Sequence, residues 1–309
     1  MQNLSIVPEA SQNPVWINGV MTPWKDASLH IFSHIINYGT GVFEGIRVYE
    51  TDNGPVIFHL KEHLDRLDNS LKSFGMELPY SREEFVEAHK EMVRQSGHTH
   101  GYLRPQISFG VSSRLTLAGI DATDTTIIFQ PLGQYRATKE LKVVTSDIER
   151  ISPKSGDIEA KVVGYYTNSH YNHQFAHAKG VDEAIMLDVN GNVAEASSSN
   201  VFYIKDGELF TPKTGHILKG ITRQSILTLA QKELGMNVNE VDMKPEDLHG
   251  ADEMFLTGTA AELDPVIEMD GKQIGSGQVG EVTQKLTELY GKTTRMELSG
   301  YEDWATPLN

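Results

Sequence analysis

The chain has 309 residues, of which 39% are hydrophobic, and this content excludes wholesale disorder. Its 42 acidic and 27 basic side chains give a formal net charge of −15, which opposes binding to nucleic acid. The absence of cysteine excludes disulfides, thiol nucleophiles and cysteine-ligated metals.

The N-terminal segment does not have the residue pattern expected of a targeting signal. Residues 1–14 contain neither Lys nor Arg and no apolar run, so a signal peptide is not predicted. Elsewhere, no stretch approaches the ~18 apolar residues that a membrane span requires. We therefore expect a cytoplasmic protein whose partners are small molecules rather than nucleic acids or membranes.

Four Asn-Gly or Asp-Gly pairs each follow a short apolar segment and predict β-hairpins. Both residue types tolerate the positive φ that a two-residue type I′ turn requires. The pairs are Asn18-Gly19, Asn190-Gly191, Asp206-Gly207 and Asp270-Gly271. Their presence in both halves of the chain favours antiparallel sheets over a doubly wound parallel fold.

Helical patterns lie between these hairpins. Leucines from Leu60 to Leu71 recur at spacings of four and three, which places them on one apolar helical face. A capping box of Ser81 and Glu84 predicts the start of a second helix. A further helix is expected from Thr222 to a stop at Gly235, and another over about residues 279–290.

Strands and helices do not alternate regularly, which favours the α+β class with two domains. A boundary is expected near Pro131, between the predicted strands 126–129 and 141–145. The predicted division is an N-terminal domain of residues 1–130, an interdomain loop of residues 131–137 and a C-terminal domain of residues 138–309. A ligand cleft is expected between the two domains.

Two motifs resemble known sites but have simpler interpretations. Residues 275–280 match G-x-G-x-x-G, yet they follow a hairpin and lack the βαβ context of a dinucleotide site. His59, Glu62 and His63 match an inverted zinc-protease pattern. The alternative is that both histidines are partly exposed helix residues beside the leucine face.

Three further histidines share one face of a predicted helix and have the spacing of metal ligands. They are His170, His173 and His177. No carboxylate lies close to them in sequence on that face, which favours a polar helix surface. No metal site is therefore expected, and a zinc hydrolase built on His59, Glu62 and His63 is kept as a distant alternative.

Several residues could carry chemistry, each with a simpler alternative. Lys161 has apolar neighbours on both sides, and desolvation would activate its amine; it could also be a surface lysine. Glu195 could be a buried acceptor or a surface acid. Residues 220–222 could bind an anion at a helix N-terminus, or they could simply cap the helix. Residues 257–262 form a loop of small residues, and Arg66 alone would be a solvated charge.

Taken together, these segments resemble the fold-type IV pyridoxal-phosphate aminotransferases, and most closely the branched-chain amino-acid aminotransferases. The resemblance covers nearly the whole chain, and the segments occur in the family's order. They are Trp16–Gly19, Tyr38–Arg47, His63–Leu67, Tyr102–Pro105, Ala160–Tyr166, Glu195–Asn200, Gly220–Thr222, Thr257–Glu262 and Glu302–Trp304. This resemblance implies a two-domain α+β fold with mixed and antiparallel sheets, flanking helices and a large C-terminal cofactor-binding domain.

The resemblance also implies pyridoxal 5′-phosphate (PLP) as the cofactor. Lys161 is similar to the lysine that binds it covalently and moves the substrate proton. Glu195 is similar to the partner of its pyridine nitrogen, and Tyr166 to the tyrosine that bonds its phenolic oxygen. The remaining expected cofactor contacts are Arg66, Asn200, Ile221, Thr222 and Thr259.

By the same resemblance, the substrates are L-branched-chain amino acids and 2-oxoglutarate, converted in a ping-pong reaction. The Tyr102 hydroxyl and the backbone at Thr259 and Ala260 would hold the α-carboxylate. Gly45 would leave room for the side chain, and Arg104 would help to bind an acidic one. The expected substrate residues are Tyr38, Phe43, Gly45, Arg47, Tyr102, Arg104, Arg114, Leu132, Tyr135, Ala260 and Ala261.

Two departures from the family pattern leave the substrate open. Arg114 stands in a loop that commonly has a Met-Gly-Val-like tip, and Leu132 stands where tryptophan is frequent. A D-amino-acid or (R)-amine transaminase of the same fold is therefore the alternative. The family also implies a homodimer, or a higher homo-oligomer, whose subunits share their active sites.

Overall fold

A computed structural model describes residues 12–112, 116–117, 122–133 and 140–309. These residues divide into two compact units. The first lies within Met1–Gly133, together with Ala160–Gly164 and Thr294–Asn309. The second lies within Gln134–Glu159 and Tyr165–Thr293. The segments 160–164 and 294–309 thus belong to the first unit, although the sequence-based division assigned them to the C-terminal domain.

The strands, in chain order, are β1 (Val15–Ile17), β2 (Val20–Thr22), β3 (Gly41–Phe43), β4 (Ile46–Tyr49), β5 (Val56–Phe58), β6 (Gly101–Phe109), β7 (Thr123–Gln130), β8 (Leu141–Thr145), β9 (Glu183–Leu187), β10 (Val193–Ala196), β11 (Asn200–Lys205), β12 (Glu208–Pro212), β13 (Val238–Val241), β14 (Glu253–Gly258), β15 (Glu262–Met269), β16 (Lys272–Gln273) and β17 (Ala305–Pro307). The helices are α1 (His34–Tyr38), α2 (Leu60–Ser73), α3 (Arg82–Ser96), α4 (Tyr166–Ala178), α5 (Ile221–Leu234), α6 (Pro245–His249) and α7 (Glu281–Thr294).

The described part of the first unit contains one sheet in the order β17-β5-β4-β6-β7-β1-β2, and β3 pairs with the far end of β6. Its strand pairs are antiparallel. Helices α2 and α3 bury their apolar faces, with Leu64, Leu67, Phe85 and Met92 almost fully enclosed. The predicted leucine face and the Ser81 capping box are both confirmed.

The second unit contains a mixed sheet in the order β10-β9-β8-β15-β14-β11-β12-β13, and β16 pairs with β15. Its parallel pairs are β8 with β9, β8 with β15, and β12 with β13. Helix α5 buries Ile226, Leu229 and Ala230 in this unit. Separate stretches of helix and mixed sheet confirm the predicted α+β class.

Three of the four predicted hairpins have the expected two-residue turn. Asn18-Gly19, Asp206-Gly207 and Asp270-Gly271 all adopt positive φ between paired strands. At Asn190-Gly191 the predicted hairpin is present, because β9 and β10 pair antiparallel, but the two-residue turn was wrong: residues 188–192 form a longer loop. There the Asp188 carboxylate accepts the N–H groups of Asn190 and Asn192 at 2.8 and 2.9 Å, so this side chain shapes the turn.

Two predicted helix boundaries are displaced. Helix α5 begins at Ile221 with Gly220 as its N-cap, one residue before the predicted Thr222; its C-cap is the left-handed Gly235, which confirms the predicted stop. Helix α7 begins at Glu281 and extends beyond the predicted end at Tyr290. The glycine-rich stretch 275–280 lies between β16 and α7. Across the described ranges, the helices are too short or too polar to cross a membrane.

A buried histidine of α3 should make the stability of the protein depend on pH. Burial lowers the pKa of His89 to about 4, although a 2.7 Å hydrogen bond from Nδ1 to the carbonyl oxygen of Phe85 opposes the shift. In the unfolded chain this pKa is about 6.5, so the unfolded state binds more protons between the two values. The contribution of His89 to stability is therefore complete above about pH 6.5 and is lost as the pH falls towards about 4.

At about pH 5 this loss amounts to about 2 kcal/mol of the free energy of unfolding. The variant His89→Leu should lose correspondingly less stability than the wild type when chemical unfolding is compared at about pH 7.5 and about pH 5. His173→Leu replaces an exposed histidine of α4 and should keep the wild-type dependence. An unchanged pH dependence in His89→Leu would contradict the assignment.

Candidate active site

Lys161 is fixed by its backbone to the first unit. The N–H of Phe43 donates to the Lys161 carbonyl oxygen at 3.1 Å, and the N–H of Lys161 donates to Ser70 Oγ at 3.0 Å. Close by, the N–H of Gly164 donates to the Gly39 carbonyl oxygen at 3.1 Å. Strand β3 and helix α2 together therefore define where the lysine side chain starts.

The side chain of Lys161 is half-buried beside an aromatic ring. Its Nζ lies 5.0 Å from the centroid of the Phe43 ring, and the guanidinium carbon of Arg104 lies 4.4 Å from the same centroid. Arg104 Nη2 donates to the Tyr102 hydroxyl at 3.3 Å. Its buried Nε has no hydrogen-bond partner in the part of the chain that the structure describes. Two cations around one ring, with a donor to spare, suit an anionic ligand.

Gly45 lies where a larger residue would collide with Tyr102. A Cβ atom at position 45 would lie 1.6 Å from the Tyr102 hydroxyl oxygen. Arg47 pairs with Tyr102 across β4 and β6, and its Nη1 donates to the carbonyl oxygens of Leu132 and Gly133 at 3.1 Å each. Arg47 thereby holds residues 132–133 against the sheet.

A buried carboxylate that the sequence reasoning gave no role, Glu44, lies at the centre of a cluster of polar groups. Glu44 accepts Arg66 Nε at 2.6 Å, Arg66 Nη2 at 2.7 Å, His63 Nδ1 at 2.8 Å and the N–H of Gly45 at 3.3 Å. Burial alone raises the pKa of Glu44, but the adjacent Arg66 guanidinium and the hydrogen bonds lower it further, to well below its usual range. Glu44 is therefore an anion, and Arg66 is not the solvated charge that the helix pattern indicated.

The two histidines of the zinc-protease pattern are not partly exposed, so that interpretation was wrong. His63 and His59 are 1% and 5% exposed, because α2 turns His63 towards Glu44 and the His59 ring lies 4.6 Å from that of Trp304. Burial lowers the pKa of His63 to about 4, which keeps it neutral. Among the residues with described positions, no three His, Asp or Glu side chains are grouped as a metal ion requires.

The histidines at positions 170, 173 and 177 are exposed on α4, as a polar helix surface requires. Their helix begins at Tyr166, the residue expected to contact the cofactor. Within the second unit, this part of α4 borders a cavity of about 530 Å³. The cavity is lined by Tyr166, Ser169, His170, His173, Glu183, Ser197 and Ser198.

Glu195 is buried in the second unit, which excludes the surface-acid interpretation. Its carboxylate accepts Arg150 Nε at 2.6 Å, the N–H of Leu218 at 3.1 Å and Asn200 Nδ2 at 3.3 Å. Asn200 Nδ2 also donates to the Leu218 carbonyl oxygen at 3.0 Å. Both members of the Glu195–Arg150 ion pair are only 9% exposed at their side chains. The carboxylate is thus held in one orientation with its charge compensated.

Helix α5 begins close to these residues. Its N-cap is Gly220, and among the described residues no side chain caps the first turn. A Cβ atom at Gly220 would lie 1.9 Å from Asn200 Oδ1, so glycine permits a close approach to the Glu195 cluster. The first-turn N–H groups of Ile221 and Thr222 have the polarity that favours an anion.

The remaining predicted residues are distributed as follows. Thr259, Ala260 and Ala261 form the half-buried turn between β14 and β15. Tyr38 ends α1 and is 41% exposed, with its ring against that of His34. Predictions for Arg114 and Tyr135 fall outside the described residues.

Comparison with known proteins establishes the family. The family model described as amino-transferase class IV matches residues 41–269. The chain belongs to the class IV aminotransferases. Its match spans Phe43, Glu44, Lys161, Glu195 and the start of α5.

Curated relatives of this class IV aminotransferase carry a narrower name. The branched-chain-amino-acid aminotransferase of Pseudomonas aeruginosa is 39% identical, over 94% of this chain and 96% of that protein. The protein of the same name in Escherichia coli K12 is 40% identical, over 96% of this chain and 97% of that protein. The likeness therefore extends over nearly the full length of both proteins.

Solved structures agree with the curated relatives. A T.th. branched-chain amino acid aminotransferase complexed with N-(5′-phosphopyridoxyl)-L-glutamate has a TM-score of 0.91 and 38% identity, covering 96% of this chain and 99% of that one. A branched-chain amino acid aminotransferase of Escherichia coli has a TM-score of 0.92 and 38% identity, covering 96% of this chain and 100% of that one. These likenesses confirm the predicted fold-type IV architecture.

Three residues that the sequence reasoning left without a role support predicted site residues of this aminotransferase. Glu44 binds Arg66, Ser70 binds the Lys161 backbone, and Arg150 binds Glu195. Glu44 stands inside the Tyr38–Arg47 motif, and its position there could have suggested a role at the site. The sequence around Ser70 and Arg150 carried no comparable signal, because their partners are distant along the chain.

The buried ion pair of Arg150 and Glu195 gives a test of the second unit. Arg150→Met would leave the Glu195 charge buried without its counter-ion, so we expect a loss of about 3–5 kcal/mol in the free energy of unfolding. Adding Glu195→Gln removes that charge and should restore most of the loss. Chemical unfolding of both variants measures these effects.

An exposed ion pair of the same unit provides the control. Lys213→Met breaks the ion pair of Lys213 with Asp242, in which both side chains are about half exposed. This change should lower the free energy of unfolding by less than about 1 kcal/mol. An Arg150→Met variant no less stable than Lys213→Met would refute the buried-charge argument.

Proposed function

We propose that this enzyme transfers the amino groups of L-leucine, L-isoleucine and L-valine to 2-oxoglutarate in two alternating half-reactions on bound PLP. The class IV family and the relatives named branched-chain aminotransferases support the reaction class. Solved relatives bound to N-(5′-phosphopyridoxyl)-L-glutamate and pyridoxamine 5′-phosphate support the cofactor. A cytoplasmic location stays a prediction from the sequence.

The donor set of this chain fits PLP. Lys161 offers the amine for its aldehyde, and Glu195, held beside Arg150, offers a carboxylate for its pyridine N–H. Arg66, the first-turn N–H groups of α5 and Thr259 offer donors for its phosphate. Tyr166 is assigned to its phenolic oxygen, and Asn200 keeps Glu195 in place.

When bound, PLP withdraws electrons from the Cα atom of the amino acid and so makes its proton removable. Lys161 Nζ accepts that proton as the general base. The backbone of Lys161, and with it the start of its side chain, is fixed by Phe43 and Ser70. The Glu195 carboxylate holds a proton on the pyridine nitrogen. Arg150 in turn compensates the charge of Glu195 in the buried interior.

The group around the Phe43 ring carries the substrate proposal. Phe43 supplies an apolar wall for a branched chain, and the absence of a side chain at Gly45 lets the Tyr102 hydroxyl lie against the backbone there. The Tyr102 hydroxyl and the backbone of the turn at residues 259–260 are assigned to the α-carboxylate. Arg104, with its unpaired Nε within the described residues, suits the second carboxylate of 2-oxoglutarate.

Half-reactions followed by absorbance test this proposal. The purified protein with PLP should show a visible band that borohydride discharges, and Lys161→Ala should lack it. L-Leucine alone should bleach the band and 2-oxoglutarate should restore it, because each half-reaction leaves the enzyme in a different cofactor form.

Lys154→Ala replaces an exposed lysine and serves as the matched control, expected to behave like the wild type. Bleaching by D-alanine or (R)-1-phenylethylamine but not by L-leucine would sink the branched-chain assignment in favour of the alternative transaminases. A protein that gains no visible band with added PLP would refute the cofactor assignment itself.

We also propose that two copies of the chain associate through an exposed apolar surface, here called the α1 patch. The patch is continuous, because Ser33 bridges to Val111 and His34 Nε2 lies 2.9 Å from the Thr116 carbonyl oxygen. A surface of this kind indicates a protein contact. Its members are Leu29, Ile31, Phe32, Ile36, Tyr38, Val111 and Leu117. The membership of Tyr38 agrees with a pocket shared between subunits.

Charges in the α1 patch should break this association. Ile31→Asp combined with Leu117→Asp alters side chains that are 76% and 75% exposed, so folding should be retained. Light scattering should give twice the chain mass of 34.4 kDa for the wild type and a single chain mass for the variant. Val20→Asp changes a residue that is 63% exposed outside the patch and should leave the mass unchanged. A dimer that survives the double change would exclude this surface.

A further inference from the structure

The proposed function leaves Glu44 without a part in the reaction, although it is a buried carboxylate of the first unit. The residue is fully buried, and its carboxylate accepts four hydrogen bonds from three residues. A buried charge of this kind is costly unless every partner is in place. Its presence here therefore calls for an explanation beyond packing.

The geometry of the Glu44–Arg66 pair is that of a bidentate clamp. Glu44 Oε1 accepts Nε and Glu44 Oε2 accepts Nη2 of the same guanidinium, at 2.6 and 2.7 Å. Two parallel hydrogen bonds fix the plane of an otherwise flexible side chain. The direction in which the other N–H groups of Arg66 point is therefore set by Glu44.

The same turn of helix reaches the reactive lysine. Ser70 Oγ donates to the Arg66 carbonyl oxygen at 3.0 Å and accepts the N–H of Lys161 at 3.0 Å. The guanidinium plane of Arg66 and the backbone of Lys161 are thus held in one hydrogen-bonded frame. Such a frame suits a ligand that carries an anionic group at a set distance from a carbonyl carbon.

His63 completes the environment of the carboxylate. It donates from Nδ1 to Glu44 Oε2, because an ionised carboxylate only accepts hydrogen bonds. Being neutral, it adds no second positive charge, so Glu44 and Arg66 compensate each other one to one. The pair can therefore keep its geometry without attracting further counter-ions.

We propose that Glu44 is a positioning residue that orients the Arg66 guanidinium towards the phosphate group of the cofactor. This role rests on the proposed function, in which Arg66 binds that phosphate. In this role Glu44 affects only the binding of the phosphate, and it does so through Arg66. In the described interactions, the Glu44 side chain contacts neither the Lys161 side chain nor the Phe43 ring.

Comparison of PLP with pyridoxal, which lacks the phosphate, tests this role. The dissociation constants of both are measured on the full-length protein by titration of the visible band. We expect Glu44→Gln to weaken PLP binding by about tenfold or more and pyridoxal binding by less than about twofold, because the amide donates where Arg66 needs an acceptor. Glu44→Asp keeps the charge and should recover part of the preference for PLP.

Arg66→Met and Glu62→Gln are the reference variants. Arg66→Met should abolish most of the preference for PLP, whereas Glu62→Gln, the same change at a partly exposed residue of α2, should keep the wild-type preference. An equal loss of PLP and pyridoxal binding in Glu44→Gln would mean a purely structural role and would overturn the proposal.

The outcome separates this inference from the proposed function. If the wild type binds both compounds equally, the assignment of Arg66 to the phosphate is wrong and the role of Glu44 fails with it. If Arg66→Met loses the preference and Glu44→Gln keeps it, only the role of Glu44 is refuted.

Should Glu44→Gln alone fail to fold, the double variant with Arg66→Met removes both charges and keeps the test available. In this double variant, the ratio of the dissociation constant of pyridoxal to that of PLP should equal the ratio in Arg66→Met. A further fall in that ratio would contradict an effect exerted through Arg66.

Discussion

The proposed chemistry depends on one constraint, which is the pair of hydrogen bonds made by the backbone N–H and carbonyl oxygen of Lys161. A lysine side chain has four rotatable bonds, so its amine has a defined place only if its Cα atom is fixed. Phe43 and Ser70 provide this by bonding the carbonyl and the N–H of the residue. Because β3 and α2 are themselves held by buried leucines and the sheet, the core of the first unit determines the position of the proposed nucleophile.

The sequence predicted local features well and long-range pairings poorly. The leucine spacing of α2 and the capping box of α3 involve neighbours within four residues, so they could be read directly. The burial of His63 depends on Glu44, 19 residues away, and that of Glu195 on Arg150, 45 residues away. No periodicity reports such pairs. The family resemblance supplied Lys161 and Glu195 as candidates, but not the residues that hold them.

The same limit applies to the domain boundaries. A division along the chain assumes that each unit is continuous, whereas residues 160–164 return to the first unit through backbone hydrogen bonds and β17 returns by pairing with β5. Residue types give almost no indication of backbone pairing of this kind. Asn190-Gly191 illustrates the converse case, since the predicted hairpin is present but the nearby Asp188 carboxylate binds the N–H of Asn190 within a longer loop.

The contact between Gly45 and Tyr102 also restricts how this protein can change over evolutionary time. With only 1.6 Å between a hypothetical Cβ atom and the hydroxyl oxygen, position 45 cannot accept a side chain while Tyr102 stays in place. A larger residue at 45 becomes tolerable only after the tyrosine has been replaced by something shorter. Positions 45 and 102 should therefore covary among descendants, and a shift in substrate range along this wall would need two mutations in a particular order.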